Sequence, residues 1–315
     1  MYLGLYMNNV VSLPGSARTW ALGAAVGLAA LACSAADGVS GSAGGGGDST
    51  SSAQSGGGKG GAGGFGGQSD GGSQGEGGIN ITVGSGGSVP AVDVDVVITA
   101  DNAYSFGYGD VNGITHFTQG TRAQTAGEIF NCGEGPEAYK VPAADAPASA
   151  YLYIATWDDL AVTQGVLGQF RRGGGAPLYT GDPKFEVCAT GIDMQNSQTG
   201  PAQGDLNGQI AICNGGNGDP STTSKGWVNA AGAVTAGAIG SLAIGEANDT
   251  APGGTFPPTC PTGVGPANAA TIDPAGHWMW YQPGGIANPF QSTGMNTFRA
   301  YLIFRIAAVD IPPPN

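Results

Sequence analysis

Apolar periodicity begins abruptly at about residue 90. Residues 92–99, Val-Asp-Val-Asp-Val-Val-Ile-Thr, alternate apolar and polar positions and are rich in β-branched side chains. That pattern predicts a half-buried strand. The same reading predicts strands over residues 104–108, 127–130, 150–157, 166–170, 184–188, 209–213, 278–281 and 298–306. Most are separated by clusters of Gly, Pro, Asn or Asp, which break strands and make turns. No window carries a capped apolar repeat of 3.6 residues. Residues 230–247 are apolar enough for a helix, but Gly237, Gly240, Gly245 and the Val and Thr content oppose one. Many short strands joined by Gly/Pro turns define an all-β fold, here a single antiparallel β-sandwich. No segment recurs at a fixed period, which excludes propellers and solenoids.

Before residue 90 the pattern is of another kind. Trp20 to Ala32 is an uncharged, mostly apolar run of 13 residues preceded by one positive charge, Arg18. As a helix it would rise only about 20 Å, short of the roughly 30 Å hydrocarbon core of a bilayer. It reads as the apolar region of a signal peptide. The run ends Ala29-Ala-Leu-Ala-Cys33, which resembles the bacterial lipobox, although Leu31 stands one place later than is usual. The resemblance implies cleavage before Cys33 and acylation of its sulfur. It implies an exported protein, lipid-anchored in the bacterial outer membrane and facing the surface, because Ser34 rather than Asp follows the cysteine. The competing reading is an ordinary secretory signal with Cys33 as a spare thiol.

Of the 60 glycines, the excess is concentrated between Gly38 and Gly87. Gly, Ser, Ala and Gln there leave almost nothing to bury, so this stretch is expected to be a disordered linker. About fifty such residues have an r.m.s. span of roughly 40 Å. The expected organisation is a signal peptide over 1–32, the lipid-attachment site and linker over 33–89, and the β-sandwich domain over 90–315. Net charge is −13 with only 10 Lys and Arg in 315 residues. Nucleic-acid binding needs a basic footprint and is excluded, as is lying flat on anionic lipid.

Setting Cys33 aside leaves Cys132, Cys188, Cys213 and Cys260. An even count in an exported chain predicts two disulfides, with three connectivities open. Cys188 and Cys213 flank one Gly/Asn/Gln-rich excursion, which favours Cys188–Cys213 and leaves Cys132–Cys260. A zinc site is disfavoured: there is no Cys-x-x-Cys, and His116 and His277 are remote in sequence.

Three segments, in order, resemble the galactose-binding-like jelly roll. Ile98-Thr-Ala-Asp-Asn-Ala-Tyr104, followed by Val111-Asn-Gly113, is similar to that family's first strands. Tyr151 to Phe170 resembles a buried strand, a turn at Asp158-Asp159 and a following strand. Phe298-Arg-Ala-Tyr-Leu-Ile-Phe304 resembles its closing strand. The chain departs from the pattern at Thr180-Gly-Asp-Pro-Lys-Phe185, where the family often has a tryptophan. Residues 191–207 and 248–268 stand as insertions. The resemblance implies a non-catalytic β-sandwich that binds carbohydrate, as in accessory domains of glycosidases such as α-L-rhamnosidases.

Sugar sites pair aromatic faces with Asp, Asn or Arg side chains that bond hydroxyls. The candidates are Asp101, Asn102, Trp157, Asp158, Asp159, Trp227, Trp280 and Tyr281. For each aromatic the competing role is a place in the core. Trp278-Met-Trp280-Tyr281 is expected to alternate between inside and outside on a strand, so only one of the two tryptophans need be core and either Trp280 or Trp278 is a candidate to face a ligand. Asp101-Asn102 competes as a turn or Asx cap. No cofactor motif is present; Asp158-Asp159 with nearby carbonyls is suited at most to a structural Ca2+. Gly71-Gly-Ser-Gln-Gly75 spells a nucleophile elbow but sits in the linker, without strand or helix. Glu128, Glu134, Glu137 and Glu186 offer carboxylates for hydrolysis, and His277 lacks a visible nucleophile to serve. The expected function is therefore display of a carbohydrate- or polymer-binding domain. The alternatives are an adhesive protein with a protein partner, and a glycan-acting hydrolase.

Overall fold

A computed structural model of the chain describes residues 91–193, 197–216, 226–249, 253–291 and 300–315. The signal peptide, Cys33, the linker, Pro90 and residues 298–299 of the last predicted strand lie outside the described residues.

Two antiparallel sheets form a sandwich. The strands are β1 (Val94–Asp101), β2 (Ala103–Asp110), β3 (Gly113–Thr118), β4 (Glu137–Val141), β5 (Tyr151–Trp157) and β6 (Gly165–Arg172). They continue as β7 (Leu178–Tyr179), β8 (Glu186–Asp193), β9 (Val228–Asn229), β10 (Gly232–Ala233), β11 (Ser241–Ala247), β12 (His277–Gln282) and β13 (Ala300–Ala307). The first sheet runs β11-β12-β6-β1-β4, with β7 also paired to β6. The second runs β10-β9-β8-β13-β5-β2-β3.

Alternation explains β1. Val94, Val96 and Ile98 are buried in the core, while Asp95 is exposed and faces Lys140 across the β1–β4 ladder. The central strands of the second sheet obey a different rule. Leu152 and Ile154 of β5, with Leu302, Phe304 and Ile306 of β13, join the core between the sheets. Tyr153, Ala155 and Ile303 point the other way, into a second apolar cluster. Helix α2 (Gln203–Gly215) covers that outer face with Leu206, Ile210 and Cys213. A strand covered on both faces reads as a continuous apolar run.

Helix α2 corrects the strand predicted over residues 209–213. Leu206, Ile210 and Cys213 recur at i, i+4 and i+7 and are the buried positions of the helix. Gly204 and Gly208 dilute that period, so the short stretch Gln-Ile-Ala-Ile-Cys reads locally as alternation. Residues 127–130 are likewise a single helical turn, α1 (Gly127–Phe130), not a strand. Thr125-Ala-Gly-Glu128 is a helix-start signal: the Gln124 amide donates to Glu128 Oε2 at 2.8 Å. Residues 230–247 hold no helix, and β11 occupies their end. The disulfides are Cys188–Cys213 and Cys132–Cys260. The first pins α2 to β8.

Candidate functional site

The chain passes from the first sheet to the second at Asn102, between β1 and β2. It returns between β5 and β6, over residues 158–164. The two corners are neighbours, because β1 pairs with β6 and β2 with β5. Side chains stitch them together. The Asp159 amide donates to Asn102 Oδ1 at 3.2 Å, and Thr163 Oγ1 donates to Asp101 Oδ2. The Ala161 amide donates to Asp159 Oδ1 at 3.0 Å, closing an Asx turn. The Asp101–Asn102 peptide is cis.

Residues 121–130 form the third wall. The Ala123 amide donates to the Asn102 carbonyl at 3.0 Å, and α1 follows directly. The three segments enclose a hollow of about 270 Å³ containing Asp101, Asn102, Arg122, Gln124, Asp159 and Thr163. A second hollow of about 360 Å³ adjoins it, sharing Asn102 and Ala123. Tyr104, Glu128, Glu134, Glu137 and Tyr139 line that one. Together they make one polar cleft beside β1, β2 and β4.

Its electrostatics follow from burial. Burial pushes the Asp101 carboxyl up from 3.8 to about 6; the Thr163 hydrogen bond opposes the rise and the Asp159 charge adds to it. Burial also holds Tyr104 well above its usual 10, reinforced by Tyr139 and Glu137. Tyr139 is raised by burial and by its hydrogen bond to Glu137. Both phenols therefore keep their protons and donate to Glu137 Oε2, Tyr104 at 2.7 Å. Asn102 uses Oδ1 on the Asp159 amide, and among the described residues no acceptor takes its Nδ2 protons. The cleft is thus lined by carboxylates (Glu128, Glu134, Glu137, Asp159) beside the Asn102 amide and the Arg122 guanidinium.

Of the residues expected from sequence, Asp101, Asn102 and Asp159 meet here. Asp158 does not join them: it is fully buried, whereas Asp159 faces the cleft. The two adjacent carboxylates thus occupy different surroundings. Among the described residues no three His, Cys, Asp or Glu side chains converge as metal ligands.

The aromatic candidates correct the expectation of a stacking platform. Trp157, Trp227, Trp280 and Tyr281 are all at most 1% exposed. Trp157 lies beneath Gly200 and donates Nε1 to the Ser197 carbonyl at 3.2 Å. Trp227 packs in the cluster under α2. Trp280 is in the core, and Tyr281 donates its hydroxyl to the Ile239 carbonyl at 2.7 Å. Trp278, the companion of Trp280, is covered by Phe256, stacked at 4.0 Å. The segments over Trp157 and Trp278, residues 197–200 and Phe256, read as loops in sequence, so their reach over the sheets was not foreseeable. Glu186 is withdrawn too, paired with Arg305 at 2.6 Å.

Arg122, Gln124, Thr163, Tyr104 and Tyr139 escaped sequence reasoning as site residues. The Thr125-x-x-Glu128 spacing, read instead as the approach to a strand, is the one local signal that marks the third wall. In comparisons with known proteins, the chain matches no family model, no curated protein and no solved structure.

Proposed function

We propose that this chain is a lipid-anchored surface protein whose β-sandwich binds carbohydrate, or a similarly hydroxyl-rich surface polymer, in the cleft around Asn102. One observation carries the reading: two adjoining hollows, sharing Asn102, are lined by carboxylates together with the Asn102 amide at one edge of the sandwich. Hydroxyls both donate and accept, so such a mixed lining suits them. Without a stacking tryptophan, recognition rests on hydrogen bonds. The purified full-length protein is screened on a glycan array alongside Asn102→Ala and Asp159→Ala. The expected result is binding that both variants weaken by about tenfold, the loss of one or two hydrogen bonds to charged or amide groups. Binding that neither variant alters would refute the cleft as the site. The anchor at Cys33 is checked by mass spectrometry of the mature N-terminus; an unacylated Cys33 would overturn it.

Asp101 favours a second reading, a glycan-acting hydrolase. A carboxyl pushed up to about 6 beside the Asp159 carboxylate provides a proton donor and a charged partner in one hollow. Release of reducing ends from a bound polysaccharide, abolished in Asp101→Asn, would establish it over simple binding.

A further inference from the structure

Arg172 ends β6 and is 8% exposed. Its guanidinium bridges two chain segments through neutral acceptors only. Nη1 and Nη2 each donate to the Ala146 carbonyl at 3.2 Å, and Nη2 donates to the Ala308 carbonyl at 2.9 Å. Among the described residues no carboxylate pairs with it. Asp310, two residues beyond Ala308 in sequence, is engaged by Lys184 at 3.4 Å. In a chain of net charge −13, this is a buried cation without a counter-charge. An unpaired buried charge is costly, and an anion arriving beside it recovers part of that cost. Burial correspondingly lowers the affinity of Arg172 for its proton.

The surroundings define what would accompany the anion. Arg172 lies in the wall of a groove of about 510 Å³. Ala146, Pro147 and Ala148 form one side, and Val309, Ile311 and Pro313 the other. Among the described residues, Arg172 is the only lining residue with a polar side chain. A peptide laid there would bring backbone amides and carbonyls with few side-chain partners to meet them. A body with no polar groups of its own fits the walls, and a carboxylate oxygen fits the guanidinium protons that the two carbonyls leave unused, on Nε and Nη1. We infer that this groove is a binding site for a linear aliphatic carboxylate, its head on Arg172 and its chain along the Ala/Pro/Val walls. The site shares no residue with the cleft around Asn102, so the two stand or fall separately.

The test is calorimetric titration of the full-length protein with decanoate, 1-decanol and decyltrimethylammonium, each below its self-association limit. The expected result is one saturable decanoate site, decanol weaker by about tenfold or more for want of a charged hydrogen bond, and no uptake of the cation. Arg172→Met should erase the preference for acid over alcohol. Because that variant removes a clamp and can unfold, Val309→Asp is the second arm. Val309 is 63% exposed on the groove rim. A carboxylate there should weaken decanoate by about tenfold through like-charge repulsion and lost apolar contact, with an unchanged melting temperature. Equal binding of acid and alcohol, absence of saturable binding, or decanoate affinity untouched by Val309→Asp would overturn the inference.

Discussion

The guanidinium of Arg305 lies 3.8 Å from the centroid of the Trp227 ring. Its other contacts close the arrangement. Nε meets Glu186 Oε2 at 2.6 Å, and Nη1 donates to Asn214 Oδ1 at 3.0 Å. Asn214 Oδ1 also accepts Trp227 Nε1 at 2.8 Å. One cation therefore ties β13 to β8, to α2 and to the segment before β9. Sequence gave no sign of it, because the four residues span positions 186 to 305.

Removing that cation leaves Glu186 and Asn214 without their shared donor in a largely dry site. Arg305→Ala is expected to destabilise the domain by about 3 kcal/mol, the scale for breaking a buried pair. Urea denaturation measures it. Lys140→Ala, which removes ion pairs at the exposed β4 edge, should leave the midpoint where it was.

Asp101 makes a prediction in pH. Its folded-state value is raised from 3.8 to about 6, so between those values the unfolded chain loses this proton and the folded chain keeps it. The native state then binds more protons, and Asp101's contribution to stability falls as pH rises through that window. Below pH 3.8 and above about 7 its contribution is flat. Asp101→Asn should therefore gain on the parent protein from pH 4 to pH 6, by roughly 2 to 3 kcal/mol in all. Denaturation midpoints of the two proteins across that range test the sign; a constant gap would refute it.

The Cys188–Cys213 bond closes a loop over a sequence separation of 25. Chain-entropy reasoning assigns it roughly 3 kcal/mol. Replacing Cys213 with Ser should cost about that much. Amide exchange should rise first in α2, whose apolar hold on the outer face is small, limited to Leu206, Ile210 and Cys213. Uniform acceleration across both sheets would contradict this local role.

Gly200 rests on Trp157. A Cβ at that position would stand 2.5 Å from the indole ring. Because the ring is wholly buried it cannot yield, so Gly200→Ala should displace the covering segment at a cost of about 1–3 kcal/mol. Increased tryptophan fluorescence quenching by acrylamide would register the newly exposed Trp157.

Legibility in the sequence followed the length scale of the interaction. Strands β1, β5 and β13 were readable because local alternation or β-branched density marks them. The all-β sandwich followed, and so did the favoured cysteine pairing. The helix over 203–215 was not readable, since Gly204 and Gly208 thin its apolar stripe. At the site, Asp101, Asn102 and Asp159 were legible as polar residues at strand ends. Arg122, Gln124 and Thr163 were not, because only the meeting of the two inter-sheet corners with residues 121–130 gathers them. The tryptophans misled for the same reason: whether an aromatic face is open depends on a distant segment such as 197–200 lying over it.

The final strand has a consequence for how the protein comes into being. β13 is last in sequence but sits between β8 and β5 in the middle of the second sheet. As a ribosome emits the chain from its N-terminus, the β10-β9-β8 and β5-β2-β3 halves have no ladder joining them until residues 300–307 emerge. This sheet must wait for residues 300–307 before it can close. A truncated product would leave two open strand edges where the centre should be, so release of an incomplete chain amounts to release of an aggregation template.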